Sequence, residues 1–302
     1  MRWEKRGLVI PSPPPVSWAV SHAMVPFVEQ RNDDLRIYFS GRDAEGRSST
    51  GYAEGDTLQP EALRYAEHAI LEPGPLGAFD DSGAMGSCLV SNGGRSHLYY
   101  IGWTRGVSVP FYTFVGCAVS DDGGETFRRV SSAPLLERAD DDAYLTTSPW
   151  VLLEGDRWRM WYASGRGWTV EDTGPKHYYH LRYAESDDGL NWHRTGQVVI
   201  DFAGPEEYAI ARPCVVKDGD TYRMWYSYRG DAYRIGYAES ADGLSWQRKD
   251  AEAGIEPSEE CWDSEMIEYP CVFQHGGQWH MLYNGNGYGA TGVGQALGSH
   301  GD

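Results

Sequence analysis

The stretches "YAESDDGLNW" (Tyr183–Trp192) and "YAESADGLSW" (Tyr237–Trp246) say nearly the same ten residues twice. A looser version, "CAVSDDGGETF", stands upstream at Cys117–Phe127. Self-similarity at a spacing of some tens of residues is the signature of a repeat architecture. The residues in front of each copy are also alike: "ARPCVVKDGDTYRMWYSYRG" (Ala211–Gly230) precedes one, and "TSPWVLLEGDRWRMWYASGRG" (Thr147–Gly167) precedes the other. The same design recurs in "MVPFVEQRNDDLRIYFSGRD" (Met24–Asp43), "MGSCLVSNGGRSHLYYIGWTRG" (Met85–Gly106) and "EYPCVFQHGGQWHMLYNGNG" (Glu268–Gly287). Each reads as an apolar run, a polar Gly/Asp/Asn turn and an alternating aromatic run, that is, strand, hairpin, strand. The "YAES" segment adds a third strand, and the residues after the Asp-Gly turn add a fourth. Five copies of a four-stranded unit predict an all-β, five-bladed β-propeller, one domain over residues 1–302.

The last copy supplies only three strands before the chain ends. The N-terminal "WEKRGLVI" (Trp3–Ile10) echoes "WHRTGQVVI" (Trp192–Ile200), the fourth strand of the third copy. The N-terminal strand is therefore expected to complete the last blade and close the ring, which removes exposed sheet edges. "SDDGGETF" (Ser120–Phe127) matches the Asp-box pattern S-x-D-x-G-x-T-[W/F], and "SDDGLNW" and "SADGLSW" are one residue shorter. Asp and Gly suit a tight turn through local hydrogen bonds and positive φ, so these aspartates read as turn formers rather than catalysts.

Composition sets the outer limits. The 302 residues include 13% aromatics, 37 glycines and 12 tryptophans, ample material for a core. No run of about eighteen apolar residues suggests a membrane span. The start, "MRWEKRGLVIPSPPP", lacks the apolar stretch of a signal peptide. Five cysteines without paired spacing fit a reducing compartment, so a cytoplasmic location is expected. A net charge of −18 argues against nucleic acid as partner and fits a small ligand.

Propeller topology places the starts of the inner strands and the ends of the second strands on one face, opposite the Asp-Gly turns. Five stretches lead into the inner strands: Ser17–Pro26, Ala78–Ser87, Ala139–Pro149, Gly204–Pro213 and Cys261–Pro270. Four of them carry carboxylates, and the remaining one carries His22. The ends of the second strands add Arg42, Arg105, Arg166 and Arg229, with Asn286 in the last copy. A mouth rimmed by carboxylates and arginines suits a polar ligand.

In "RMWYSYRG" (Arg223–Gly230), "YAESADGLSW" and "YNGNGYGATGVGQA" (Tyr283–Ala296), the chain resembles the five-bladed propeller superfamily of glycoside hydrolases and phosphorylases, families 32, 43, 68, 117 and 130. Within that superfamily it looks closest to uncharacterised bacterial relatives. The resemblance implies a small carbohydrate or glycoside ligand, with an anionic one open, and no membrane partner. Family 43 enzymes place a catalytic Asp before a Pro at the first inner strand. Val25-Pro26 stands there instead, with Ser21 and His22 upstream, so no residue inherits that role.

Glycoside cleavage usually needs two carboxyl groups. The candidates are Asp80 or Asp81 combined with Glu265 or Glu268, all at inner-strand entrances. The apolar setting "WDSEMIEYP" would raise a pKa toward the general-acid range. Blade-to-blade latching or a solvated loop charge is the alternative for these residues. Glu206, Glu207 and Asp140 to Asp142 read as solvated charges. Arg212, at the pre-proline position of the fourth copy, could hold a hydroxyl, carboxylate or phosphate, or pair with a carboxylate. His22 and His180, with Arg105, Arg166, Arg229 and Asn286, complete the candidate ligand-binding set. His177 and His180 lie in "GWTVEDTGPKHYYHLRY", a long insertion expected to fold over the mouth. No cofactor is expected, and a central structural metal has no two-histidine motif behind it. Cys88, Cys214 and Cys271 fall at equivalent places as small core fillers. The leading expectation is a glycoside hydrolase-like enzyme. The alternatives are a phosphorylase holding phosphate on Arg and His, a carbohydrate-binding propeller, or a biosynthetic enzyme reusing the fold.

Overall fold

The computed structural model describes residues 1–32 and 34–299. Antiparallel strands dominate it, linked by tight turns and by longer loops, and among the described residues helical structure is limited to Pro60–Ala62, Asp250–Glu252 and Asn286–Gly289. The strands pair antiparallel in runs of four. Ser21–Arg31, Asp34–Arg42, Ser48–Gly55 and Arg64–Tyr65 form one run, and Gly83–Asn92, Arg95–Arg105, Phe111–Ser120 and Arg128–Arg129 the next. Thr146–Glu154, Arg157–Glu171, Gly174–Ser186 and His193–Ile200 follow, then Ala209–Asp218, Thr221–Arg229, Tyr233–Ser240 and Gln247–Arg248. The last run joins Glu268–His275, Gln278–Asn284 and Val293–Ser299. Its fourth member is the N-terminal strand Arg2–Ile10, paired from Arg2 with Ser299 to Ile10 with Val293.

The Asp-Gly turns explain why the opening motif repeats. In each shorter copy the carboxylate accepts backbone N–H groups, Asp188 from Leu190 and Asn191 and Asp242 from Leu244 and Ser245. Those amides, Ser245 first, hold the Asp242 carboxyl down at about 2. The turn aromatic donates to the glycine carbonyl of its own turn, Trp192 to Gly189 at 3.1 Å and Trp246 to Gly243 at 2.9 Å. An aromatic of the preceding run reaches the same oxygen, Tyr99 to Gly189 at 2.7 Å and Trp161 to Gly243 at 2.9 Å. One carbonyl with two lone pairs thus ties a turn to itself and to its neighbour.

A second repeated device locks the opposite end. Tyr100 and Arg129 both donate to Asp80, at 3.0 and 2.7 Å. Tyr162 and Arg194 donate to Asp142, at 2.9 and 3.2 Å, and Tyr283 and Lys5 to Asp263, at 3.0 and 2.6 Å. The carboxylates are buried, and each joins the stretch before an inner strand to the second and outer strands. Two expectations change here. Asp142 is fully buried rather than solvated, because Tyr162, Ser164 and Arg194 all donate to it. Glu207 is likewise bound to Arg248, at 2.9 Å. The long insertion takes the form of a paired hairpin, with Trp168 opposite His177 and Thr169 opposite Lys176.

Candidate functional site

Each inner strand carries a register irregularity close to the point where it meets its neighbours, for example between Ala211 and Cys214 and between Glu268 and Cys271. In four of the five strands the residue before the proline has a left-handed backbone: Val25 (φ 55), Ser148 (φ 49), Arg212 (φ 54) and Tyr269 (φ 56). For residues other than glycine this conformation costs about 1–2 kcal/mol each, most plainly for a β-branched valine. Proline supplies no N–H to the ladder and so tolerates the bulge. Backbone N–H groups at the bulges find side-chain acceptors: Val25 on Asn284 (3.2 Å), Gly86 on Thr50 (2.7 Å) and Tyr269 on Ser227 (2.7 Å). A bulge re-aims its side chain, and all four strained residues line one cavity.

That cavity has a volume of about 380 Å³. Its wall is largely aromatic and aliphatic, with Trp103, Tyr179, Tyr233 and Tyr288 prominent, and its polar members include Arg42, Arg212 and His177. Among the described residues no Asp or Glu lines it. Arg212 is completely buried and donates to Ser87 Oγ (3.0 Å) and to the Pro26 carbonyl (2.8 Å), with Trp150 beneath it at 5.5 Å. Its Nε has no partner, and neither does that of Arg42. Burial pushes the pKa of both guanidinium groups down. Arg229, at the edge, donates to the Tyr288 hydroxyl and lies over the Tyr233 ring. His177 packs face to face on Tyr179. Burial first and the charge of Arg229 second lower its pKa to about 4. His22 is lowered to about 4 by burial and then by Arg42. At neutral pH both rings are uncharged, so they can accept or donate a hydrogen bond but attract no anion by charge.

The expected catalytic residues are scattered. Asp80 is occupied by Tyr100 and Arg129 in the latch described above. Asp81 accepts from the Gly77 amide, Ser82 and Thr104, and these bonds outweigh burial and keep its pKa low. Glu265 is solvent-exposed. Glu268 is fully buried, next in sequence to Tyr269 of the cavity wall, and no side chain donates to either of its oxygens. Burial drives its pKa well above the usual carboxyl range, against the pull of Arg229 and the Tyr288 amide. Among the expected ligand-binding residues, Arg166 pairs with Asp201 at 3.0 Å and His180 contacts the same carboxylate at 3.4 Å. Arg105 donates to the Glu45 carbonyl. The Asn286 side-chain Oδ1 accepts from the Glu265 and Met266 amides, which pins the loop before the last inner strand. Arg212 alone of that set lines the cavity, and Arg229 touches its rim. Sequence reasoning passed over Tyr179, Tyr233, Tyr269 and Trp103. The recurring X-Pro at inner strands was the available signal, since it marks the bulges. Among the described residues no group of three or more His, Cys, Asp or Glu is placed to hold a metal ion.

An all-β fold of this layout is that of glycoside hydrolases. A protein described as "Glycoside hydrolase" superposes with a TM-score of 0.79 at 20% identity, covering 98% of this chain and 92% of its own. A thermostable family-43 glycoside hydrolase gives a TM-score of 0.70 at 14% identity, covering 94% and 89%. A family-32 beta-fructofuranosidase of Bombyx mori gives 0.67 at 16%, covering 96% of this chain and 61% of its own. The likeness is one of fold, propeller-like and all-β. In sequence, an uncharacterised protein of Mycobacterium tuberculosis strain H37Rv is 42% identical over 299 residues, 98% of this chain and 99% of the relative. The chain belongs to the same family as this mycobacterial protein. No protein-family model matches it.

Proposed function

We propose that this chain is a five-bladed propeller, closed through its N-terminal strand, that binds a small glycoside in the central cavity and acts on its glycosyl bond with Glu268 as proton donor. The observation behind this reading is the meeting of four strained bulges on one cavity, with a buried carboxyl group beside it. Strain of this kind persists only where surrounding structure over-determines it, and it clusters at functional sites. The aromatic wall suits the apolar faces of a sugar ring, and the backbone and guanidinium donors suit its oxygens. Because burial drives the pKa of Glu268 well above the usual carboxyl range and so favours its protonated form, its carboxyl can give a proton to a leaving glycosidic oxygen as the bond to the anomeric carbon breaks. The electrophilic carbon is then taken by water or another oxygen nucleophile. A second carboxylate, the usual base, has no place in the cavity wall among the described residues, which favours a nucleophile that is already anionic.

The test is release of the aglycone from a panel of nitrophenyl glycosides by the full chain and by Glu268→Gln, with and without added phosphate. The reading requires turnover that the substitution lowers by about 10²–10⁴-fold. Turnover untouched by Glu268→Gln would remove Glu268 from the chemistry. Sugar binding without turnover under any condition would leave a carbohydrate-binding propeller.

A further inference from the structure

The chain carries a net charge of −18, so carboxylates abound, and several buried or half-buried arginines elsewhere are matched with them. Arg36 sits between Glu54 and Glu125 at 2.9 and 2.7 Å. Arg159 pairs with Glu154 at 3.0 Å, and Arg248 with Glu207 and Asp250 at 2.9 and 2.5 Å. At the cavity this rule lapses. Among the described residues Arg42, Arg212 and Arg229 form no ion pair, and each leaves its Nε without a partner. Taking a guanidinium out of water without a counter-charge is costly, and excluded water makes the site attractive to an anion. The thiols of Cys88, Cys214 and Cys271 and the phenol of Tyr269 lie within electrostatic reach of Arg212, and no carboxylate is among them. Burial raises the pKa of Cys88, Cys214 and Tyr269, whereas the hydrogen bond with Cys214 lowers that of Cys271. Arg42, Arg212 and Tyr269 line the same cavity, and the phenol lies within electrostatic reach of both guanidinium groups.

Resting on the glycoside reading of the same cavity, we infer that Arg42 and Arg212, with Arg229 at the rim, form a subsite for an oxyanion, a phosphate or carboxylate group. The geometry of the guanidinium fork suits such groups, which accept two parallel N–H bonds. The oxyanion is either carried by the sugar, as in a uronic acid or a sugar phosphate, or free phosphate bound beside a neutral sugar. Both share the chemistry of the subsite, and binding separates them.

The experiment is calorimetric titration of the full chain with inorganic phosphate, glucuronate, glucose 6-phosphate and glucose, repeated on Arg42→Gln, Arg212→Lys and the exposed control Arg128→Gln. The expected result is that at least one anionic probe binds about tenfold or more tightly than glucose. Arg42→Gln should weaken that probe by about tenfold and Arg128→Gln should not, as befits loss of a charge-assisted hydrogen bond. Arg212→Lys keeps the charge and loses the fork, and it should weaken the probe in the same direction. Binding of phosphate alone identifies the free ion, whereas binding only of glucuronate or glucose 6-phosphate identifies an acidic sugar. If glucose binds as well as the acidic sugars and phosphate does not bind, the inference falls while the glycoside reading survives. If phosphate binds through Arg42 and no sugar does, the inference stands and the glycoside reading falls. Lack of binding by every anionic probe, or anion binding indifferent to Arg42, overturns it.

Discussion

The arginines of the latches and the arginines of the cavity are one chemical group in opposite settings. Arg129 and Arg194 lie against buried aspartates that also hold tyrosine hydroxyls, so that charge, donor and acceptor are all satisfied within the fold. Arg42 and Arg212 face a cavity with no carboxylate in its wall among the described residues. The first arrangement holds strands together and needs nothing from outside. The second leaves binding capacity unused in the folded chain, and it sits where the backbone itself is strained. Charge satisfied within the fold and charge left open at a cavity thus fall to different copies of the same residue type.

The sharpest test of this contrast is to cut each region once. Glu268→Gln, at the cavity, should lower any glycoside turnover by about 10²–10⁴-fold while changing the free energy of unfolding by no more than about 1–3 kcal/mol, since it preserves volume but places an amide in a buried site. Urea denaturation alongside the rate assay reads both. Asp142→Ala, in a latch, should do the reverse. It strands Arg194 and the hydroxyls of Tyr162 and Ser164, and should cost about 3–5 kcal/mol in urea unfolding. Asp80→Asn keeps the size and removes the charge facing Arg129, and a loss of about 1–3 kcal/mol is expected. If Asp80→Asn instead leaves stability intact and abolishes turnover, Asp80 belongs with the cavity and the comparison breaks.

Acidification should likewise separate the cavity and its surroundings from the Asp-Gly turns. His22 and His177 titrate at about 4 in the folded chain against 6.5 for the free side chain. Between those values the unfolded chain binds more protons, so stability falls as pH drops from 6.5 through 4 and levels off below. His177→Gln should remove up to about 3 kcal/mol of that pH dependence, measured by urea unfolding across pH 4–7. The turn carboxyl Asp242, held at about 2 against 3.8, contributes stability above pH 4 that is lost only as pH falls from 4 through 2. The cavity should therefore weaken before the turns do. The smallest effect expected is a gain. Ser148→Gly relieves a left-handed residue and should add about 0.5–1 kcal/mol in urea unfolding.

The repeat, the strand order within each run and the pairing of the N-terminal strand were legible because they rest on local pattern. Asp-Gly turns, alternating aromatics and the echo between Trp3–Ile10 and Trp192–Ile200 are all short-range properties of the chain. The face to examine was legible too, since topology alone sends inner-strand starts and second-strand ends to one side. Which of the residues on that face meet was not. Asp80, Asp142 and Asp263 stand in similar stretches as charged residues before an inner strand, and only packing shows each captured by a tyrosine and a cation from other strands. Glu265 and Glu268 are three residues apart and end in opposite environments, one in water and one in the interior. Local sequence sets the turns because their hydrogen bonds close within a few residues. The fate of a side-chain charge depends on partners brought by distant strands, and the bulges at Val25, Ser148, Arg212 and Tyr269 decide which side chains face the cavity.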